Sequence, residues 1–268
     1  MNIGSIENHR GREGGALVYP VYSRRSGGLS LGVNLFPDAK VCTFDCPYCE
    51  VFPFKTDISF SVDPMAAALR GVIAEARARR EAVRDICFSG NGEPTISPHF
   101  PAALLAAAKI RDELVPDAAL VVITNGTGLL NAQTFELLRH AATGLALKLW
   151  LKLDAGTEDW YAKMDRSAVL FDRLIAAIKA FAAIAPFTIQ TMLCAINGAP
   201  PPAEEAAAWE RLLRELAAPG HLTGVQIYGK ARPSPGLDAS PVPAAVLETR
   251  AASLRAVLPE SIPVEVFP

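Results

Sequence analysis

The sequence predicts an α/β fold, a single domain built on a parallel sheet, and three observations carry that expectation. Strand-like and helix-like segments alternate from about residue 30 to the end of the chain. Most of the strand-like segments are short apolar runs rich in Val, Ile, Leu and Phe, as strands buried on both faces tend to be. The length, 268 residues, lies in the range over which one α/β barrel forms a single core. Right-handed strand–helix–strand crossovers follow from such alternation. Periodicity alone leaves two architectures open: an open partial barrel of six βα units, or a flat, doubly wound sheet.

In chain order, residues 1–27 open with the polar stretch MNIGSIENHRGREGG and are expected to form an irregular N-terminal cover. The barrel or sheet is expected over 28–268. Strands are predicted at Leu29–Phe36, Asp85–Ser89, Ala119–Thr124, Ala146–Asp154, Phe187–Leu193, Gly224–Tyr228 and Pro263–Phe267. The first helix is predicted to start at an Asp63 N-cap followed by Pro64. It presents Met65, Leu69, Val72, Ile73 and Ala76 on one face. Further helices are predicted at about Phe100–Glu113, Asn131–His140, Val169–Ala183, Ala203–Leu216 and Pro243–Val257.

Composition narrows the function classes. Half of the residues are apolar and a fifth are charged, which suits a globular protein with a sizeable core. Lys plus Arg number 26 against 28 Asp plus Glu, so no overall field draws the chain to nucleic acid or anionic membrane. Arg10, Arg12, Arg24 and Arg25 form a local basic group near the N-terminus. The longest uncharged run, Ala180–Ala203, is interrupted by Pro186, Gln190, Thr191 and Asn197 and ends in prolines. It does not offer the roughly 20 continuous apolar residues of a membrane span. The N-terminal stretch also lacks the apolar core of a signal peptide, so a cytoplasmic location with reduced thiols is expected.

Five cysteines, three of them clustered, argue for metal or catalytic use over a disulfide framework. Cys42, Cys46 and Cys49 follow a C-x3-C-x2-C spacing on a short segment with Pro47 and Tyr48. Three thiolates this close can converge on one metal centre. A tetrahedral zinc or a cubane cluster asks for four ligands, and three ligands on a four-iron cluster leave one iron open for chemistry. Structural zinc, a ferredoxin-like electron carrier and a chance grouping remain alternatives on the cysteines alone. Cys87 and Cys194 lie in apolar strand segments and read as buried small hydrophobes.

The spacing C-x3-C-x-aromatic-C, with Tyr48 as the aromatic, resembles the signature of the radical S-adenosylmethionine (SAM) superfamily. The resemblance implies a partial (βα)6 barrel, a [4Fe-4S] cluster on Cys42, Cys46 and Cys49, and SAM chelating the open iron. Reductive cleavage of SAM to a 5′-deoxyadenosyl radical would follow, with hydrogen abstraction from an unidentified substrate. The resemblance also implies a reducing partner such as flavodoxin or ferredoxin. A second motif agrees in order and spacing. Gly90-Asn91-Gly92-Glu93 follows a predicted strand and is similar to the Gly-Gly-Glu-like motif that binds the amino group of SAM, with Asn91 as the departure. CTFDCPYCE, FSGNGEPT and ITNGTGLL together resemble the wyosine-synthase-like branch, densely from about residue 18 to 165. Members of that branch that modify tRNA guanosine carry a second iron–sulfur cluster. This sequence has no second cysteine cluster, so tight, sequence-specific tRNA binding is not expected.

Other strand ends supply candidates for the cavity. In Ala146–Asp154 the leucines 147, 149, 151 and 153 share one face, and Lys148, Trp150, Lys152 and Asp154 share the other. Lys152 and Asp154 are therefore expected to point inward as catalytic groups; an edge strand with one wet face is the alternative. Asn125, beside Gly126, is a candidate contact for SAM or substrate, or simply an Asn-Gly turn. Gln226 and Tyr228 are candidates for adenine or ribose contacts, or core fillers. Arg24 and Arg25 could neutralise a carboxylate or phosphate, or lie solvated.

Overall fold

The computed structural model describes residues 16–268, and residues 1–15 of the expected N-terminal cover lie outside it. The chain runs β1 (Val18–Ser23), β2 (Gly28–Val33), α1 (Val62–Ala78), β3 (Val83–Phe88), α2 (Phe100–Leu114), β4 (Ala119–Thr124), α3 (Ala132–Gly144) and β5 (Leu147–Lys152). It continues through α4 (Glu158–Met164), α5 (Phe171–Ala182), β6 (Phe187–Ile196), α6 (Ala203–Ala217), β7 (Leu222–Gly229), β8 (Ala239–Pro241), α7 (Ala244–Arg255) and β9 (Val264–Phe267). Strands β2 to β7 and then β9 pair in parallel in sequence order, each joined to the next through helix. Six βα units are thus in place.

The sheet is curled, which decides for the partial barrel over a flat sheet. Arg24, in the β1–β2 turn, donates to an oxygen of Pro268 just beyond β9, so the two ends of the strand order approach one another. Arg25 from the same turn reaches Gln190 on β6. The outward face packs under the helices. Leu147, Leu149, Leu151 and Leu153 are all buried in this main core with Leu138, Ile178 and Phe181. A one-residue slip of β5 would turn its leucines away from the helices, at about 1.5–3 kcal/mol for each side chain exposed. The inward face carries a separate small cluster of Cys87, Val121 and Trp150.

Three details differ from the sequence expectation. Val18–Ser23 is not irregular cover: it forms an antiparallel edge strand registered from Val18↔Val33 to Ser23↔Gly28. Pro20 argues against a central strand but is tolerated at a sheet edge, where a missing N–H costs no ladder partner. Helix α1 is capped one residue pair earlier, at Ser61, which leaves Asp63 in the first turn near the positive end of the helix. The short helix α4 and strand β8 were not anticipated; at seven and three residues they are too brief to establish a period.

Candidate functional site

The curled sheet encloses a cavity of about 350 Å³ whose walls include Cys42, Cys46, Cys49, Tyr48, Gly90–Glu93, Asn125, Trp150, Lys152 and Tyr228. The cysteine loop leaves the C-terminal end of β2 and turns at the cysteines, where Cys49 N–H donates to the Cys46 carbonyl at 3.0 Å. It is stitched to the loop after β3. Val41 N–H donates to Asn91 O at 3.1 Å and Glu93 N–H donates to Val41 O at 2.9 Å. Gly92 permits this approach, because a Cβ there would stand 1.8 Å from the Val41 carbonyl oxygen. Gly90 adopts a φ of 122°, open to glycine, and packs on the Asn34 side chain. Asn34 Oδ1 in turn accepts from Phe36 N–H and Asn91 N–H.

The thiols meet donors suited to thiolate ligands. Phe44 N–H lies 3.4 Å from Cys42 Sγ, and Asn125 Nδ2 lies 3.7 Å from the same sulfur while donating to Thr43 Oγ1 at 2.9 Å. Cys42 is exposed to the cavity, yet desolvation pushes its thiol up to about 11. Burial raises Cys46 well above the ordinary range, with Asp165 adding to the effect. Both sulfurs therefore stay protonated until a cationic centre displaces the proton. Among the described residues, no three His, Cys, Asp or Glu side chains already form a single-ion cage. The donor set fits a larger centre: three cysteines on one loop around a cavity, with N–H groups aimed at sulfur.

Glu93 is among the residues that line the cavity. Its side chain is 2 % exposed and turns toward β4. Oε1 accepts from Thr95 N–H, Thr95 Oγ1 and Thr124 Oγ1 at 3.0, 2.5 and 2.7 Å, and Oε2 accepts from Asn125 N–H at 2.7 Å. Desolvation raises its carboxyl despite these four donors. The carboxylate braces the ends of β3 and β4 at the cavity wall, beside the backbone of Gly90–Gly92.

Along β5 only part of the face expected to point inward reaches the cavity. Trp150 and Lys152 line the cavity, although Lys148, nearer the open end, is exposed. Lys152 Nζ lies 2.9 Å from Asp154 Oδ2 and donates to Tyr228 OH at 2.7 Å. Desolvation opposes its charge, but Asp154 and Tyr228 outweigh that and raise Lys152 well above its usual range. Asp154 is buried behind the cavity wall. It accepts from Met192 N–H at 2.7 Å and from the Tyr48 hydroxyl, joining the cysteine loop to β5 and β6. Asp165, beyond α4, is raised well above its ordinary range by burial and then by the Asp154 charge. Gln226 lies away from the cavity lining and bonds Gln190 at 2.6 Å. Sequence reasoning missed Asp165 and Gln190, since no local pattern marks them; Arg25, one of the two arginines considered for a carboxylate or phosphate, reaches into the cavity.

Comparison with known proteins follows from this geometry. The profile of the Radical SAM superfamily matches residues 37–199, more than half of the chain, from before the cysteine loop to beyond β6. The chain belongs to the radical SAM superfamily. Among curated relatives, a UPF0026 protein of Synechocystis is 30 % identical over 62 % of this chain and 59 % of its own length. A UPF0026 protein of Helicobacter pylori is 27 % identical over 50 % of this chain and 44 % of its own. The matches thus span about half the length of those relatives. A radical SAM methyltransferase from Sphaerobacter thermophilus superposes with a TM-score of 0.64 at 19 % identity, over 89 % of this chain and 65 % of that one. Archaeal TYW1 does so with a TM-score of 0.52 at 13 % identity, over 85 % and 72 %. At these identities the likeness is one of fold, and it matches the partial barrel of this radical SAM chain. Among the described residues, no helix is long and apolar enough to cross a membrane.

Proposed function

We propose that this chain is a radical SAM enzyme in which Cys42, Cys46 and Cys49 hold a [4Fe-4S] cluster at the mouth of the cavity. Bound there, cluster and SAM would together supply a 5′-deoxyadenosyl radical, which takes hydrogen from a substrate. The observation that carries this reading is the convergence of three thiols, the N–H donors to Cys42 and the Gly90–Gly92 backbone on one cavity. Tyr48 fixes the cysteine loop through Asp154, and Asn125 steadies the Cys42 sulfur. Lys152, held charged by Asp154, offers a positive group to the cavity, and Tyr228 orients it. These two tyrosines, Lys152 and Asp154 act as a unit that aligns the bound groups. Glu93 braces the loop at the cavity wall, where the resemblance implies a contact to the amino group of SAM. Electrons would come from a small acidic carrier such as flavodoxin or ferredoxin. A tRNA substrate is disfavoured, because the net charge is −2 and only Cys87 and Cys194 remain beyond the triplet.

Anaerobic reconstitution followed by reduction with dithionite in the presence of SAM tests the reading. The wild type and Cys87→Ala are expected to bind iron and sulfide and release 5′-deoxyadenosine. Cys42→Ala, Cys46→Ala and Cys49→Ala should lose both. Full iron content in any triplet variant, or no 5′-deoxyadenosine from a fully loaded wild type, contradicts it.

A further inference from the structure

We propose that Arg25 is an anchor for an oxyanion on the substrate, so that the substrate is a small molecule with an apolar body and a carboxylate or phosphate. This rests on the reading of the cavity as a radical SAM site. Arg25 leaves the turn between β1 and β2, at the opposite end of β2 from the cysteine loop. At roughly 3.3 Å per residue, the six residues of β2 separate these two attachment points by about 20 Å. Its guanidinium nevertheless lies inside the cavity, 4.8 Å from the Tyr228 ring centre and 6.0 Å from that of Trp150.

Its aim is fixed. Nη1 donates to Gln190 Oε1 at 3.1 Å, and Gln190 is wholly buried and held by Nε2 donating to Gln226 Oε1 at 2.6 Å. A guanidinium has five N–H donors in a fork that matches a carboxylate or phosphate. Among the described residues, no carboxylate lies within ion-pair distance of Arg25. The other long cations on the cavity wall are engaged: Lys152 with Asp154, Arg232 with Glu50, Lys40 with Asp45, and Arg24 with Pro268. Asp85, whose carboxyl senses the Arg25 charge, accepts instead from Ser30. A half-buried cation against two aromatic faces, with donors to spare, favours an anion that enters with its ligand. Ile123, Trp150, Met192 and Phe267 on the same walls suit an apolar body.

Benzoate, phenyl phosphate and neutral benzamide serve as probes, titrated by calorimetry into the reconstituted full chain with its cluster oxidised and SAM saturating. Wild type is expected to bind at least one anionic probe tenfold or more tighter than benzamide. Preference for benzoate assigns a carboxylate, and preference for phenyl phosphate assigns a phosphate. Arg25→Gln should reduce that probe to the benzamide level, and Arg25→Lys, which keeps the charge without the fork, should fall several-fold. Should Arg25→Gln not fold, Arg25→Lys reads the same quantity. No anion preference in wild type, a preference retained in a folded Arg25→Gln, or a preference undiminished in Arg25→Lys overturns the proposal. The same preparations assayed for 5′-deoxyadenosine keep the two readings apart: lost SAM cleavage with anion preference intact sinks only the proposed activity.

Discussion

Asp154 carries more of the site than its buried position suggests. One carboxylate accepts from Met192 N–H and the Tyr48 hydroxyl and pairs with Lys152, tying β6, the cysteine loop and β5 to one point. Asp154→Asn keeps an oxygen for Met192 but loses the charge that holds Lys152 and Tyr48. Charge-assisted hydrogen bonds of this kind contribute about 1.5–3 kcal/mol each, so the variant is expected to retain its fold and iron yet cleave SAM roughly ten- to a hundred-fold more slowly. Thermal melting, iron analysis and the rate of 5′-deoxyadenosine release check this together; an undiminished rate removes Asp154 from the working set. Residues differ in how far sequence reveals them. The cysteine triplet is readable because three ligands of one centre sit on one loop, and Lys152 because strand alternation assigns its face. Arg25 is readable as a cation that could neutralise a carboxylate or phosphate, but its aim is not, since its partner Gln190 lies 165 residues away. The motif that holds Glu93 is readable, but its partners Thr124 and Asn125 are not, since they lie at the end of the next strand, outside any local pattern.

At the scale of elements, the decisive contact is the join between the cysteine loop and the loop after β3. Gly92 bridges Val41 in parallel fashion, and there is no room for a side chain at that point. Gly92→Ala must therefore push the two loops apart while leaving the distant helices untouched. We expect near-normal helical circular dichroism with iron incorporation and SAM affinity each reduced about tenfold or more, a backbone clash being among the changes that typically cost over 1 kcal/mol. Normal iron and SAM binding in this variant would show that the join is dispensable. The regular elements themselves were largely legible, because parallel strands covered by helices leave continuous apolar runs and amphipathic stretches. β1 was missed since Pro20 interrupts its pattern, and α4 because one and a half turns do not display a period.

For the molecule as a whole, curvature converts strand alternation into function. Alternation alone would have served a flat sheet equally well. The curl turns the inward faces of β3, β4, β5 and β7 around one cavity and puts the leucine face of β5 under helices. Membership in the radical SAM superfamily gives that cavity a chemical context, and the near-neutral charge leaves recognition to local groups such as Lys152 and Arg25. The central claim is that the three-cysteine site binds a cluster with a position open to SAM. Electron paramagnetic resonance of the reconstituted, dithionite-reduced protein tests it most directly, with spectra taken before and after SAM is added. The account predicts a reduced four-iron signal whose shape and field positions change on SAM addition, and that change should be absent when adenosine, which has no amino-acid end to bind an open iron, is added in place of SAM. A four-iron signal that is identical with and without saturating SAM would contradict it.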